Sequence, residues 1–409
     1  MEKVIRKMHI VIAHFNSYWT GISGGVERIT CEMANDMANR GHKVTILYRD
    51  GREGLPYFPL RKDVETHDVL FRGGEIIISE KLPVPWRVLR ELTRVFSQQE
   101  AQEINTSYKT KQYGKAIKKW IDELHPDIIL SSSIPSTAYV IDGTGTQIPV
   151  ITMIHSHPDI QFPRLSRREL KAGGKSAAIQ ILLPSGMKTA RKYFPSTDIR
   201  VIGNAIKTPD PMPLYKGENS HIIINVGSFN TNKDQKLLIS AFKEISPRFP
   251  DWKLELWGST GNAYARQVEE EIHKMNLDDK IKVFGKTHHV WEDVYSRGTI
   301  YAIASHEEGF PLSLSEAMMM GIPTVGLAEC HGVNDLIRDG ETGFLTAPHP
   351  KDYAKALGKL MVSADLRLAY GKAGKEVIKD YTTKNIYDQW EKLLKEIAET
   401  RESSRTTGF

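Results

Sequence analysis

The stretch EGFPLSLSEAMMMG at positions 308–321 sets two glutamates eight residues apart. Glu308 precedes a Gly-Phe-Pro turn, and Glu316 lies within a run of helix formers. The residues just before, Thr299 to Ser305 (TIYAIAS), are apolar and β-prone and predict a buried strand. Those from about Leu312 to Met320 predict a helix, with Met318–Met320 in its core. Glu308 then falls in a strand-to-helix loop, and Glu316 about one turn into the helix. Open parallel α/β sheets bind their ligands outside the carboxyl ends of their strands, so both carboxylates stand where a ligand is expected.

The same strand–helix rhythm extends in both directions. In the second half it runs through IIINVGS, a helix at about Gln235–Ile245, KLELWGS, a helix at about Ala263–Met275, IKVFGK, a short helix around Trp291–Ser296, TIYAIAS and TVGL. In the first half HIVIAHF is a strand. The loop NSYWTGISGG, a helix at about Val26–Arg40 closed by Gly41, and the strand KVTILY follow. DIILS, PVITMI, Ile179–Leu183 and Arg200–Ile202 complete that half. Between the halves, KTPDPMPLYKGEN carries three prolines and no periodicity and reads as a linker. The expectation is two Rossmann-like α/β domains, residues 1–206 and 220–382, joined by a linker at 207–219. A final helix at 383–400 is expected to pack back on the first domain, ahead of a disordered tail at 401–409.

Composition is compatible. A chain of 409 residues exceeds one ordinary core. No apolar run approaches the ~20 residues of a membrane span, and the short run Met8–Ala13 does not predict a signal peptide. Two distant cysteines, Cys31 and Cys330, fit a reducing, cytoplasmic setting. The net charge of +5 is uneven: nine Lys/Arg face three Asp/Glu between Lys81 and Lys119, and eight face one between Arg164 and Lys192. Such clusters suit an anionic partner. In WRVLRELTRVF, Trp86, Leu89, Leu92 or Thr93, and Phe96 share a helical face, with Arg87, Arg90 and Arg94 elsewhere. This basic amphipathic helix suits either an anionic membrane surface or packing on its own domain. No nucleic-acid-binding module is recognised.

Three strands of the second domain end in small residues, Gly227-Ser228, Gly258-Ser259 and Gly285-Lys286, which would let a nucleotide approach the backbone. The free N–H groups of the Gly309-Phe310-Pro311-Leu312-Ser313 turn, which Pro311 does not supply, and the positive end of the following helix suit a pyrophosphate. Lys233 adds a point charge. Glu316 suits a ribose diol, because a carboxylate accepts the two hydrogen bonds a diol donates. Glu308 would then lie beyond the phosphates, where a sugar would be.

EGFPLSLSEA followed by GIPTV resembles the E-x7-E motif of family 4 retaining nucleotide-sugar glycosyltransferases, a family of bacterial enzymes building lipopolysaccharide and related polysaccharides. GGVERITCEMANDMANRGHKVTIL, VIGNAI and GVNDLIRDGETGFL resemble further family segments in the same order. The resemblance implies the GT-B fold, two Rossmann-like domains facing across a cleft. It implies a donor site in the second domain and an acceptor site in the first. The groups implied at the reacting sugar are Glu308, His155 (with His157 as alternative) and Lys233. Implied donor contacts are Gly24 and Gly25 from the first domain, and Ser228, Lys233, Gly258, Lys286, residues 309–313 and Glu316 from the second. Family members commonly carry arginine after Val-Gly at the second domain's first strand; Ser228 stands there, which leaves Lys233 and the helix N-terminus with more of the diphosphate. No Asp-x-Asp motif occurs, so no divalent metal or other cofactor is expected. The implied activity is retaining transfer from a nucleoside diphosphate sugar, most plainly a UDP-sugar, to a lipid-linked glycan. The enzyme is expected to be cytoplasmic and peripheral on the inner face of the plasma membrane, docked through its basic first domain, with no nucleic-acid partner. The alternatives are a protein O-glycosyltransferase with the same donor site and a catalytically weak nucleotide-sugar-binding subunit.

Overall fold

A computed structural model describes residues 7–406 except 16, 52, 53, 74, 79 and 80. The chain forms two compact units, Met1–Asn204 with Lys384–Phe409, and Ala205–Thr383. The first contains β1 (His9–His14), β2 (Lys43–Tyr48), β3 (Glu65–Asp68), β4 (Phe71–Arg72), β5 (Glu75–Ile76), β6 (Ile128–Ser131), β7 (Val150–Met153), β8 (Ala178–Ile181) and β9 (Ile199–Val201). Its main sheet has the order β3-β2-β1-β6-β7-β8-β9, parallel throughout; β4 and β5 form a small antiparallel pair.

The second unit contains β10 (Ile222–Val226), β11 (Lys253–Trp257), β12 (Ile281–Phe284), β13 (Ile300–Ala302), β14 (Thr324–Leu327) and β15 (Gly343–Thr346). Their order is β12-β11-β10-β13-β14-β15, again all parallel. Strands covered by helices on both faces are apolar along their length, which is why Ile10–Ala13 and Ile300–Ala302 are buried without alternation. In each sheet the strand order reverses beside the first strand of its unit, between β1 and β6 and between β10 and β13. Such switch points open a crevice at the carboxyl ends of the strands.

Helices fit their sequence spacing. Gly25–Asn39 buries Ile29, Met33 and Met37 at four-residue intervals. Leu312–Met320 is buried almost all round, from Leu314 to Met320, so it is a core helix whose first residues alone reach the surface.

The structure departs from the sequence-based expectations at several places. The expected linker is part of the second unit. Lys216 N donates to Ser296 O at 2.6 Å and Tyr215 Oη to Gly298 O at 3.0 Å, so its far end is hydrogen-bonded onto the domain despite its prolines. The short helix near Trp291 is a π-helical turn, Trp291–Tyr295. The last helix spans Thr383–Thr406, beyond the expected residue 400. It belongs to the first unit. Part of the tail expected to be disordered is therefore helical, held by Arg401 Nη1 donating to Asp127 O at 3.0 Å; residues 407–409 lie outside the described residues. The basic amphipathic segment is a helix, Val84–Phe96, with no buried residue.

Candidate functional site

In the second unit, the loops after β10 and β13 flank the switch point and are stitched together. Asn232 Nδ2 donates to Glu307 O at 2.9 Å, and Asn232 Oδ1 accepts from Glu307 N at 2.9 Å. His306 N donates to Asn232 O at 2.9 Å. The His306 ring lies 3.1 Å from Asp234, which caps helix Gln235–Ile245. This stitching brings the Lys233 ammonium onto the Glu308 carboxylate in a short charge-assisted contact. Two residues 75 positions apart thus meet at the mouth of the crevice.

Gly309 is half-buried, while Phe310 is buried against Tyr381, their rings 5.0 Å apart. Pro311 stands at the N-cap of helix Leu312–Met320 and supplies no capping side chain. The N–H groups of a helix's first turn have no intrahelical acceptor, and the dipole favours an anion there. Leu312 and Ser313 are half-buried. The Ser313 hydroxyl accepts from Tyr301 Oη at 2.7 Å. Burial pushes the Tyr301 hydroxyl's pKa up, so it remains a donor at neutral pH. Glu316 is only 2% exposed, and Tyr295 Oη donates to its Oε2 at 2.8 Å. Glu316, expected at a ribose, is thus a buried group oriented by a tyrosine.

The glycines divide by role. A Cβ on Gly258 would lie 2.0 Å from Gly227 O, so Gly258 is required by the neighbouring backbone. Gly285 is open, and Lys286 and Ser228 beside these strand ends are exposed. Gly332, not singled out from sequence, has φ +80° and would place a Cβ 3.1 Å from Glu308 O and Gly309 O. A side chain there would push on the Glu308 loop itself.

In the first unit a second cluster sits at the end of β1. The His14 ring lies 3.5 Å from Glu27 Oε1 and 3.3 Å from Thr30 Oγ1, and Ser17 donates a short hydrogen bond to Glu27. Burial pushes the Glu27 carboxyl up, but the hydrogen bonds from His14 and Ser17 outweigh it and leave its pKa below the ordinary value. Gly24 accommodates that carboxylate, since a Cβ there would fall 2.0 Å from Glu27 Oε2; Gly25 faces open space. His155, just after β7, has a buried Nε2 with no hydrogen-bond partner among the described residues. Burial, assisted by His14 and opposed by Glu27, pulls its pKa down to about 4, so the ring is neutral at physiological pH. His157 is differently employed: its Nε2 lies 3.1 Å from Ser185 Oγ and its Nδ1 accepts from Asp159 N at 3.3 Å. His155 is therefore the ring with an uncommitted nitrogen.

Residues 23–208 match the family described as Glycosyltransferase Family 4, and residues 209–377 match Glycosyl transferases group 1. The chain belongs to glycosyltransferase family 4. Its fold is GT-B. An uncharacterized glycosyltransferase of Haemophilus influenzae is 23% identical over 91% of this chain and 97% of its own. The lipopolysaccharide 1,6-galactosyltransferase of Escherichia coli is 23% identical over 68% of this chain and 77% of its own. The structure of Anabaena Alr3699/HepE in complex with UDP and glucose superposes with a TM-score of 0.69 at 15% identity, covering 95% of this chain and all of that one.

Several residues of this glycosyltransferase escaped the sequence reading. Glu27 stands three positions after Gly24 in GGVER, a spacing that a turn-to-helix reading could have flagged. Asn232, Tyr295 and Tyr301 reach the site through contacts across the sheet, and no local pattern announces them.

Proposed function

We propose that this family 4 glycosyltransferase transfers a sugar with retention from a UDP-linked donor to a hydroxyl of a lipid-linked glycan in cell-surface polysaccharide synthesis. The observation that carries the reading is the Lys233–Glu308 contact at the switch point, beside the N-terminus of helix 312–320. When the donor binds, Lys233 exchanges Glu308 for a diphosphate oxygen, and the released carboxylate accepts hydrogen bonds from sugar hydroxyls. Glu316, oriented by Tyr295, accepts from the ribose. As the bond between the anomeric carbon and the diphosphate oxygen breaks, charge accumulates on the leaving nucleoside diphosphate. Lys233 and the backbone N–H groups of Gly309, Phe310, Leu312 and Ser313 stabilise it without a divalent metal. The acceptor oxygen attacks the same face, and its proton passes to the departing phosphate. Neutral His155 is the first unit's group for hydrogen-bonding the acceptor.

A UDP-sugar donor and a lipid-borne acceptor draw support from what the Anabaena structure holds and from what the E. coli relative is named for. Peripheral attachment to an anionic cytoplasmic membrane face accords with the basic clusters of the first unit. Among the described residues no helix is long and apolar enough to cross a membrane.

The test is binding and slow hydrolysis of UDP-, GDP- and ADP-sugars by the wild type beside Glu308→Ala and Glu316→Ala. One UDP-sugar should bind and be hydrolysed, with each substitution weakening binding by about tenfold or more, the loss of one or two charge-assisted hydrogen bonds. Binding without turnover on either membrane or protein acceptors would favour the binding-subunit reading. Transfer to protein extracts but not membranes would favour the protein O-glycosyltransferase.

A further inference from the structure

We propose that helix Val84–Phe96 is a membrane-docking element of this enzyme. It lays an apolar side into the interface of an anionic bilayer, while cations of the neighbouring helix Arg167–Gly173 meet the lipid phosphates. This rests on the reading of a lipid-linked acceptor and names the structural element that would serve it.

At about 100° per residue, Val84, Val88, Leu92 and Val95 fall on one side of the helix, with Phe96 beside them. Arg90 and Thr93 fall on the opposite side. That opposite side faces helix Gln98–Leu124: Arg90 Nη1 donates to Asn105 Oδ1 at 3.2 Å, and Arg90 and Thr93 are the half-buried members of an otherwise exposed helix. The side turned inward thus carries Arg90 and Thr93 with the half-exposed Trp86 between them, while Val84, Val88, Leu92 and Val95 turn outward, the reverse of an ordinary surface helix. Leu92 is 61% exposed, Val95 80% and Phe96 89%. A contiguous apolar side of this kind marks an interaction surface.

What covers it follows from charge. Gln99 Nε2 donates to Leu165 O at 2.7 Å, and Arg167 Nη2 lies 2.7 Å from Glu100 Oε1. These contacts set the start of helix 167–173 beside the end of helix 84–96. There Arg167, Arg168, Lys171 and Lys175 line a depression of about 460 Å³ with two carboxylates, Glu103 and Asp142. Arg168 is engaged by Glu103 and Lys175 by Asp142, while Lys171 has no ion-pair partner among the described residues. The space admits a phosphate headgroup. On the apolar helix itself Glu91 is shared by Arg90 and Arg94, which leaves the helix net positive. An apolar side bordered by arginines and adjoining a cationic depression complements an anionic bilayer. A second copy docked by two-fold symmetry would set the same net-positive surface against itself.

The experiment is flotation of the full-length protein with phosphatidylcholine vesicles, with and without phosphatidylglycerol, at low and high salt. The wild type should bind the anionic vesicles at low salt. The triple variant Val88→Ser, Leu92→Ser, Phe96→Ser should bind at least about tenfold more weakly, because the lost contacts are apolar. Arg167→Gln with Lys171→Gln should weaken binding and flatten its salt dependence. All these positions are exposed, and donor hydrolysis should be unchanged in both variants. Absence of vesicle binding by the wild type, or binding unaffected by both sets of substitutions, overturns the proposal. So does a wild-type dimer in light scattering that the triple variant splits, which would make a second copy the occupant. A wild type that binds vesicles but no nucleotide sugar would refute the catalytic reading and leave this one standing.

Discussion

His155 sits behind the strand end of β7 with its Nε2 enclosed, and the cost of charging it there has a measurable consequence. An unfolded histidine takes up its proton near pH 6.5, whereas burial holds the folded ring to about 4. Between those values the unfolded chain carries the extra proton, so stability falls as pH is lowered through this window. The neighbouring Glu27 acts in the same direction: its folded pKa is depressed, so its contribution is present at neutral pH and lost in acid. Burial likewise lowers the pKa of His9, His42 and His67 in the same unit. Acid should therefore destabilise the first unit. His155→Asn should flatten the fall between pH 6.5 and 4 by up to about 3 kcal/mol. Thermal melts across this range check it, and parallel curves for the two proteins would show that the ring is not held neutral.

At the scale of the element, helix 312–320 shows how polar groups are held on an otherwise buried helix. Its apolar residues fill the core, and its two polar anchors are gripped by tyrosines from outside the helix, Tyr301 on Ser313 and Tyr295 on Glu316. Tyr295 comes from a π-helical turn, a widening often found at functional sites. Tyr295→Phe removes one donor from a buried carboxylate, which should cost about 1–3 kcal/mol of stability. On the proposed UDP-sugar reading it should also weaken UDP binding several-fold while leaving the overall fold intact. Calorimetric titration of UDP checks this; unchanged affinity would mean that the orientation of Glu316 does not matter to the nucleotide. The helix was legible in LSLSEAMMM, because its composition and flanking turn left one reading. The tyrosine contacts were not, since they join residues 12 and 21 positions apart whose approach is set by packing. The sidedness of helix 84–96 was legible only in part. The sequence reading grouped Trp86, Leu89 and Phe96 as its apolar side, whereas the outward side is Val84, Val88, Leu92 and Val95 with Phe96, because Arg90 and Thr93, which flank Trp86, turn toward helix 98–124.

At the scale of the whole molecule, the chain leaves its first unit at Asn204 and returns to it at Lys384. The returning helix buries Ile386, Tyr387, Trp390, Leu393 and Leu394, and Arg40 Nη1 reaches Asp388 at 2.8 Å and Glu391 at 2.7 Å. Each large apolar side chain contributes roughly 1.5–3 kcal/mol when buried, so the five together rival the ~5–15 kcal/mol net stability of a domain. Truncation after Thr383 should therefore unfold the first unit, although the cut lies at the end of the second. Limited proteolysis of the truncated chain should digest the first unit and leave a resistant fragment near residues 205–383. Equal resistance of both units would show that the helix is dispensable.

By itself the sequence determined two parallel α/β units, the glycine-bearing loops at their strand ends and the double-glutamate segment. These depend on local signals: buried β-branched runs, helical spacing, and glycine or proline at the turns. Four segments in family order added the family. The tertiary structure alone decided that Lys233 holds Glu308, that a tyrosine orients a buried Glu316, and that Gly258 and Gly332 serve backbone packing. It also joined His14 to Glu27 and turned one apolar side of helix 84–96 outward, against the packing of Arg90 on Asn105. Each of these is a contact between residues distant in the chain, and the distance between two such residues is fixed by how strands register and helices pack, which no local pattern encodes.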